Sequence, residues 1–492
     1  MIGSTKKSLL KKMANAKSYD EWKEFAQEHD RRSGFERWRV MDQSRRYDYV
    51  SIRTRLDSLR IMRSRNDYRG LLFTLNEGIH GNMGGMGNQS LFTKTQFGTK
   101  QLIGDYVDEI TDALKLIADP AIDDISFDEK LDFFRRAHHC FGRTAFMMSG
   151  SGSLLYFHLG VVKALWEQRL LPSIISGASG GAFVGSFISS HTDSELEKLF
   201  LPENLVYEPD TEKSFLNTLR SLIPERMHID EIKFMLERLQ PDLTFAEAYE
   251  KTGRLLNVSV APLEVQQTSR LLNAVTSPNV FLRDAILASG AVPGVYPPVT
   301  LAAKNDHGER QAYLPSRKWV DGSITDDLPA KRLARLYGVN HYIVSQTNPL
   351  VTPFLSDNNT SSGAFTKLRN SGFQTARLWL NTGADLLQKP LSKAPLLNSA
   401  FNSMLSVINQ NYRGDINIVP QAKFANPYKV LSNSSASEIE KLMLSGERAA
   451  WPHIEKIRIQ TKIGITLDTI LRDFEAQYVD SATVNYRRKS AQ

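Results

Sequence analysis

The residues best suited to chemistry form a glycine-rich turn around Ser179. The only Gly-x-Ser-x-Gly sequence in the chain is Gly177-Ala178-Ser179-Gly180-Gly181, which follows the apolar pair Ile174-Ile175. A serine on a tight strand-to-helix turn, with small residues two positions before and after it, is typical of the nucleophile of an ester hydrolase. The helix after the turn would direct its unpaired N–H groups toward the serine oxygen and stabilise negative charge there. A glycine-rich helix start without a catalytic role has the same pattern.

A serine nucleophile needs a base that accepts its proton, and Asp321 is the favoured candidate. It follows the apolar residues Trp319-Val320 and precedes Gly322, as expected of a strand that ends in a loop carrying a catalytic carboxylate. An ordinary Asp-Gly turn would have the same sequence. In the chain order Ser, Asp, His, the alternative bases are His341 and His453, and neither lies in a turn-like sequence.

A second turn rich in glycine and serine, at residues 149–153, could donate N–H groups to the oxyanion of an ester-hydrolysis intermediate. The candidate donors are Gly150, Ser151 and Gly152. The dinucleotide-binding pattern G-x-G-x-x-G fails here because position 155 is leucine. His158 belongs to the helix predicted after this loop, where a hydrogen-bonded core histidine is favoured over a catalytic one.

The elements that must position these residues are predicted by an alternation of apolar strands, Gly/Ser turns and apolar helices that begins near residue 143. This alternation is typical of βαβ units around a parallel sheet. Both turns would then lie at the carboxyl edge of the strands, where open α/β folds build their sites. Further strands are predicted at 255–261 and 342–345, and a helix at 329–337.

The chain is predicted to contain three parts, with a helical N-terminal domain at 1–140, a catalytic domain at 141–346 and a helical C-terminal extension at 347–492. In the first part, the spacing of apolar residues predicts amphipathic helices at 51–65 and 99–119. In the extension, apolar stripes pass through Trp379 and Leu397. The stripe through Trp379 fits a lid or interfacial helix, but plain core is favoured.

The composition is that of an ordinary globular protein, with 41% hydrophobic residues and a net charge of +7. The first hundred residues hold 20 of the 61 Lys and Arg residues and 11 of the 54 Asp and Glu residues, a balance of +9. Because these positive residues are not interleaved with aromatic ones, a nucleic-acid partner is not expected. Peripheral contact with an anionic membrane or a lipid droplet surface explains the charge. A solvated helical face that packs on the catalytic domain explains it equally well.

The chain has a single cysteine, Cys140, which excludes an intrachain disulfide and favours a reducing compartment. No group of Cys and His residues has zinc spacing, and the glycine-rich segment 81–88 lacks the Gly-Lys-Ser/Thr of a phosphate-binding loop. We therefore expect no metal and no cofactor. The chain also lacks the apolar run of a secretory signal or of a membrane span, so a cytoplasmic location is expected.

These motifs occur in the order found in the patatin-like phospholipases, and the chain most closely resembles the patatin-domain triacylglycerol lipases of lipid droplets in fungi and plants. The resemblance covers nearly the whole chain. In the catalytic region the shared segments are Phe157-His158-Leu159-Gly160-Val161, Ala288-Ser289-Gly290-Ala291-Val292-Pro293-Gly294, Trp319-Val320-Asp321-Gly322-Ser323, Asp327-Leu328-Pro329 and Asn340-His341-Tyr342-Ile343-Val344-Ser345-Gln346. Elsewhere they include Tyr47-Asp48-Tyr49, Asn82-Met83-Gly84-Gly85 and Gly446-Glu447-Arg448-Ala449.

The resemblance implies a patatin-like three-layer α/β/α fold with a mostly parallel central sheet, beside an N-terminal helical domain of unknown function. It also implies a Ser-Asp dyad without histidine, with Ser179 as nucleophile and Asp321 as base. The chain departs from the family in the oxyanion loop, where Ser149-Gly150-Ser151-Gly152 replaces Ser-Gly-Gly-Ala, so the identity of the donors stays open. The His-x-x-x-x-Asp acyltransferase motif of some fungal members is absent from the sequence.

The expected function is hydrolysis of an acyl lipid through an acyl-enzyme intermediate, by a triacylglycerol lipase or a phospholipase of the A type. The alternative is a catalytically weak protein that uses the same fold to bind lipid surfaces, and the altered oxyanion loop is the feature that favours it. The sequence does not distinguish triacylglycerol from phospholipid as substrate, and it does not indicate an oligomeric state.

Overall fold

The fold was obtained as a computed structural model, which describes residues 2–79, 82–201, 229–264, 268–293, 296–347, 414–420 and 436–490. The chain forms two compact units. The helical unit comprises Met1–Thr144, Tyr337–Asn340 and Trp451–Gln492, and the sheet unit comprises Ala145–Leu336 and His341–Ala450. The apolar stripes predicted through Trp379 and Leu397 lie outside the described residues.

The helical unit is built around the two amphipathic helices that the sequence predicts. Its helices are α1 (Ile2–Asn15), α2 (Tyr19–Arg32), α3 (Phe35–Val40), α4 (Tyr49–Ser64), α5 (Tyr68–Gly78), α6 (Gln89–Phe92), α7 (Gln101–Ala118), α8 (Phe127–Phe141) and, far along the chain, α18 (Ile454–Ser490). The apolar stripes of α4 and α7 are buried, with Ile52 and Leu56 on one helix and Tyr106 and Ile110 on the other. Both predicted amphipathic helices are therefore confirmed.

Helix α18 belongs to the helical unit although it lies more than 300 residues from α8 in sequence. Its residues Ile463, Leu467 and Ile470 recur at helical spacing and join the buried cluster of α7 and α8. The ring of Phe474 lies 5.2 Å from that of Phe134. The predicted C-terminal extension, 347–492, is thus divided between the units at residue 450, and the predicted boundary at 140 lies four residues before the division at 144.

The sheet unit contains a mixed, mostly parallel sheet of seven strands. The strands are β1 (Arg143–Met148), β2 (Ile174–Gly177), β3 (Leu255–Pro262), β4 (Arg270–Asn273), β7 (Trp319–Asp321), β8 (Val339–Ser345) and β9 (Ile416–Ile418), and a separate hairpin pairs β5 (Ala302–Lys304) with β6 (Arg310–Ala312). The main order is β4-β3-β2-β1-β8-β9, and β7 pairs with β3. The predicted α/β class and the strands predicted at 255–261 and 342–345 are confirmed.

The register of the parallel strands aligns the ends that carry the two glycine-rich turns. Met148 of β1 is opposite Gly177 of β2, and Gly177 is opposite Val258 of β3. The loops after β1 and β2 therefore begin at the same edge of the sheet, as predicted. Strands β4 and β7 run antiparallel to β3, with Asp321 opposite Val260.

The remaining helices of the sheet unit follow or cover these strands. They are α9 (Leu155–Glu167), α10 (Gly180–Ser189), α11 (Asp193–Leu199), α12 (Ile229–Leu239), α13 (Phe245–Thr252), α14 (Leu282–Gly290), α15 (Ser323–Asp326), α16 (Ala330–Tyr337) and α17 (Ala436–Ala450). Helix α16 confirms the helix predicted at 329–337. Helices α9 and α10 begin directly after the two turns, and each has an almost wholly buried surface.

Helices α9 and α17 approach so closely that each uses a glycine at the contact. A β-carbon on Gly160 would overlap the carbonyl oxygen of Met443, and one on Gly446 would overlap the carbonyl oxygen of Phe157. Beside this contact, Lys163 of α9 forms a 2.9 Å ion pair with the buried Glu447 of α17. Two of the segments shared with the family, around Gly160 and Gly446, are therefore packing motifs that fix the helix behind the 149–153 loop.

Replacing Gly160 by alanine is expected to lower the free energy of unfolding by about 2–3 kcal/mol, because backbone atoms of α17 cannot yield as a flexible side chain would. The urea midpoint of far-UV circular dichroism measures the change. The control is Gly104→Ala on α7, where no atom lies within 4 Å of the new methyl group and alanine is expected to stabilise the helix slightly. Equal midpoints for the wild type and Gly160→Ala would contradict the close contact.

Candidate active site

Ser179 occupies a strained turn between β2 and α10. Its backbone angles are φ 52° and ψ −123°, and it is one of four non-glycine residues with positive φ in the described part of the chain. Such a conformation costs about 1–3 kcal/mol and persists only where surrounding structure enforces it. The side chain is half-buried at the start of the helix. The strand-to-helix turn that the sequence predicts is therefore present.

The glycines on either side of Ser179 permit this turn by leaving room for backbone. A β-carbon on Gly177 would overlap the carbonyl oxygen of Gly181, and one on Gly181 would lie 2.5 Å from the carbonyl oxygen of Met148 at the end of β1. Since real β-carbons do not approach so closely, both positions require glycine. The small residues that the pattern demands at these positions thus have a direct steric reason.

A hydrogen-bonded serine on α14 holds the turn in place. The N–H of Ser179 donates to Ser289 Oγ at 2.9 Å, and the Ser289 hydroxyl donates to the carbonyl oxygen of Ser259 on β3 at 2.8 Å. Ser289 is fully buried. Sequence reasoning did not single out this residue, although it lies in the run 288–294 that resembles the family.

Asp321 ends β7 and lies against Ser179. Its side chain is buried, and the Ser179 side chain lies close enough to its carboxylate to lower its pKa. The N–H of Ser323 donates to the carboxylate, at 2.8 Å. Burial raises the pKa of Asp321 to about 6, and the hydrogen bond from Ser323 and the nearby Ser179 hydroxyl oppose that rise. The structure thus brings the two predicted dyad residues together.

The loop after β1 is anchored at its first two residues. Ser149 donates its N–H to the carbonyl oxygen of Ser345 at 3.1 Å, and its Oγ accepts from the N–H of Thr347 at 3.0 Å. The N–H of Gly150 donates to Oδ1 of Asp327 at 2.8 Å. Of the three predicted oxyanion donors, Gly150 is therefore already paired in this arrangement.

Ser151 and Gly152 lie closest to the nucleophile turn. A β-carbon on Gly180, the residue after Ser179, would overlap Ser151 Oγ and would lie 3.3 Å from the nitrogen of Gly152. Gly152 has a φ of 53°, which favours glycine, whereas Ser151 has a φ of −141°, which any residue adopts. Within the described residues, neither N–H has an acceptor. The serine that replaces the family's glycine at 151 therefore leaves the loop backbone unstrained at that position.

The histidines considered in the sequence occupy three different settings. His158 is fully buried, with Nδ1 2.6 Å from Ser345 Oγ and Nε2 3.0 Å from the carbonyl oxygen of Ser149, and burial lowers its pKa to about 4. The predicted core histidine is confirmed. His341 lies near the start of β8, four residues or about 13 Å along the strand from the end that meets Ser149. His453 belongs to the helical unit.

The described residues contain neither a metal-binding cluster nor a membrane-spanning helix. In that part of the chain, no three His, Cys, Asp or Glu side chains are grouped so that they could bind a metal ion. No helix there combines the length and the apolar character that crossing a bilayer requires.

Comparison with known protein families matches most of the chain. The model of the domain of unknown function DUF3336 matches residues 2–139, and the model of the patatin-like phospholipases matches residues 146–334. These two matches correspond to the N-terminal helices and to the part of the sheet unit that contains both turns and Asp321.

Three relatives extend the similarity along the sequence. Triacylglycerol lipase ptl2 of Schizosaccharomyces pombe is 30% identical, and the alignment covers 92% of this chain and 74% of ptl2. Triacylglycerol lipase SDP1L of Arabidopsis thaliana is 31% identical over 93% of this chain and 57% of its own length. A patatin-like phospholipase domain-containing protein of Cryptococcus neoformans is 32% identical over 92% of this chain and 53% of its own.

The chain thus spans only about half the length of some of these relatives. The chain belongs to the patatin-like phospholipase family, within the group whose members carry the DUF3336 domain before the patatin domain.

Proposed function

We propose that this protein is a lipid acyl hydrolase, a triacylglycerol lipase or a phospholipase of the A type, with Ser179 as nucleophile and Asp321 as base. The observation that carries the proposal is the strained turn at Ser179, whose side chain lies close enough to the buried Asp321 carboxylate to lower the pKa of that group. Membership of the patatin-like family and the triacylglycerol lipase names of two relatives support the choice of a lipid ester as substrate.

The buried position of Asp321 makes a carboxylate a usable base. With a pKa of about 6, the Asp321 carboxyl group is ionised at neutral pH. It is also a stronger proton acceptor than an exposed aspartate. As Ser179 Oγ attacks the ester carbonyl carbon, its proton passes to Asp321. The tetrahedral intermediate then expels the lipid alcohol, which takes that proton, and leaves an acyl ester on Ser179. Water, deprotonated by Asp321, attacks the carbonyl carbon of this ester. The bond to Ser179 Oγ then breaks, Oγ takes the proton back from Asp321, and the fatty acid is released.

The negative charge on the carbonyl oxygen is stabilised by the backbone around the turn. The Ser151 side chain, the backbone of Gly152 and the positive end of α10 lie beside residue 180, so the N–H groups of Ser151 and Gly152 are the proposed donors. Because a dyad lacks the imidazolium of a triad, these donors supply a large share of the rate enhancement. The ordinary φ of Ser151 weighs against the alternative of a catalytically weak lipid-binding protein, since the altered loop keeps both donors.

The substrate is carried by a lipid surface, so peripheral contact with a membrane or droplet is part of the proposal. The balance of +9 in the first hundred residues supports an anionic surface as the docking partner. Triacylglycerol and phospholipid are both retained as substrates, because the relatives' names include each class.

A fluorophosphonate probe, which phosphonylates activated serines, tests the proposal directly. We expect one adduct on the folded protein, located on Ser179 by peptide mass spectrometry, and no adduct on protein denatured before labelling. The same protein should hydrolyse emulsified triacylglycerol, or phosphatidylcholine and phosphatidylglycerol vesicles. Faster turnover on the anionic vesicles that disappears at high salt would support surface docking. A wild type that neither labels nor hydrolyses any of these lipids would exclude the hydrolase.

A further inference from the structure

A second buried carboxyl group, Asp327, lies within the same site. It is 1% exposed and follows Asp321 on the short segment that contains α15. Its Oδ1 accepts the N–H of Gly150 at 2.8 Å, a contact between residues 177 positions apart in the chain. A β-carbon on Gly150 would lie 3.2 Å from Ser323 Cβ and 3.7 Å from Asp327 Oδ1, so the loop packs directly on this segment.

The hydrogen bond between Gly150 and Asp327 involves a different part of the chain from the contacts that hold Ser149. Ser149 is held by Ser345 at the end of β8, by Thr347 just after it and by His158 of α9. The N–H of Gly150 is held by the segment that carries the proposed base, while its carbonyl oxygen accepts from the Thr347 hydroxyl at 3.4 Å. Asp327 therefore links the loop at 149–153 to the loop of Asp321.

We propose that Asp327 is a positioning residue that binds the Gly150 N–H and thereby presents the N–H groups of Ser151 and Gly152 to the oxyanion. The inference rests on the proposed function. It also assigns the oxyanion donors that the sequence leaves open. The Gly150 N–H is bound to Asp327 and is therefore unavailable to the substrate. The N–H groups of Ser151 and Gly152 have no acceptor among the described residues. Since Asp327 does not touch the reacting atoms, its effect acts through the backbone of the loop.

The charges around Asp327 favour its neutral form. Burial and the nearby carboxylates of Asp321 and Asp326 raise the pKa of Asp327 well above its ordinary value, against the hydrogen bond from Gly150. Asp326 is itself paired with Arg332 at 3.2 Å. A neutral carboxyl still accepts the Gly150 N–H through its carbonyl oxygen, and asparagine has the same shape and the same acceptor.

The test compares Asp327→Asn with Asp327→Ala. The alanine variant is expected to lower the rate of fluorophosphonate labelling and kcat for a soluble short-chain ester by about 10²-fold, the loss typical of one displaced oxyanion donor. Its KM should stay within about twofold, because the bound ester is not contacted. The asparagine variant should keep both rates within about threefold and leave the acid limb of the pH–rate profile unchanged. The control is Asp326→Ala, which removes a neighbouring charge without touching Gly150, and it should match the wild type.

Two results would overturn the inference while leaving the proposed function intact. One is a folded Asp327→Ala that labels at the wild-type rate. The other is an Asp327→Asn that loses about tenfold in labelling or shifts the acid limb, since either would show that charge and not the acceptor matters. If circular dichroism shows that Asp327→Ala does not fold, the labelling rate and pH profile of Asp327→Asn alone test the inference. Failure of the wild type to label would instead exclude the hydrolase itself.

Discussion

Replacing Ser179 by alanine is expected to lower kcat/KM for a soluble carboxylic ester by at least about 10⁴-fold and to abolish fluorophosphonate labelling, because the proposed acyl-enzyme forms on Ser179 Oγ. Alanine keeps the β-carbon, so the backbone strain at φ 52° is unchanged and the thermal midpoint should stay near that of the wild type. Steady-state kinetics and differential scanning fluorimetry measure both quantities.

The matched control for this variant is Ser186→Ala. Ser186 lies seven residues further along on the same helix, α10, and its hydroxyl donates to Gln240 Oε1 at 2.7 Å, away from Asp321. It is expected to keep full activity and to lose about 1 kcal/mol of stability with its buried hydrogen bond. Activity in Ser179→Ala above the level of the uncatalysed reaction would assign the nucleophile to another residue.

Substituting Asp321 by asparagine is expected to lower kcat/KM by about 10³-fold, within the range that a positioned general base contributes. In the wild type, kcat/KM should rise with pH through about 6, the pKa of the buried carboxyl, and then level off, since only the ionised form accepts a proton. The asparagine variant should lack this acid limb. Undiminished activity in Asp321→Asn would exclude the dyad and reopen His341 and His453 as bases.

The same substitution should stabilise the folded protein at mildly alkaline pH. The pKa of Asp321 is about 6 in the folded chain against an ordinary 3.8, so folding favours the protonated form. That contribution to stability is complete below pH 3.8 and is lost as the pH rises through 6. Above this range the ionised carboxylate costs the folded state about 3 kcal/mol, a cost that asparagine avoids. Urea unfolding at about pH 8 should therefore show a more stable variant, and at about pH 4 little difference.

The local sequence was sufficient to predict those elements and site residues whose structure depends on residues nearby in the chain. The nucleophile turn needs glycine at 177 and 181 because backbone lies within 2.5 Å of their missing β-carbons, and this requirement is visible in the sequence as a pattern. The strand before Asp321 and the amphipathic stripes of α4 and α7 are equally local, since burial follows period and apolar content.

What the sequence could not predict depends on contacts between distant residues. Ser289 meets the N–H of Ser179 across 110 positions, and Asp327 meets Gly150 across 177. Neither residue is unusual in its own segment, so only the resemblance to the family drew attention to the runs that contain them. The place of α18 in the helical unit has the same cause, because an apolar stripe indicates that a helix is buried but not against which partner.

Each of the two units is built from separate stretches of the sequence, and this restricts how the protein can be divided into smaller fragments. The residues matched by the patatin model end at 334, before β8 and α17, yet β8 is the neighbour of β1 in the sheet and α17 packs on α9. A recombinant fragment ending there would expose the hydrogen-bonding edge of β1, which favours aggregation. A fragment of the N-terminal helices alone would lack α18 and uncover their shared core. Boundaries for expression or crystallisation should therefore follow the packing of β8, α17 and α18 and not the limits of the matched families.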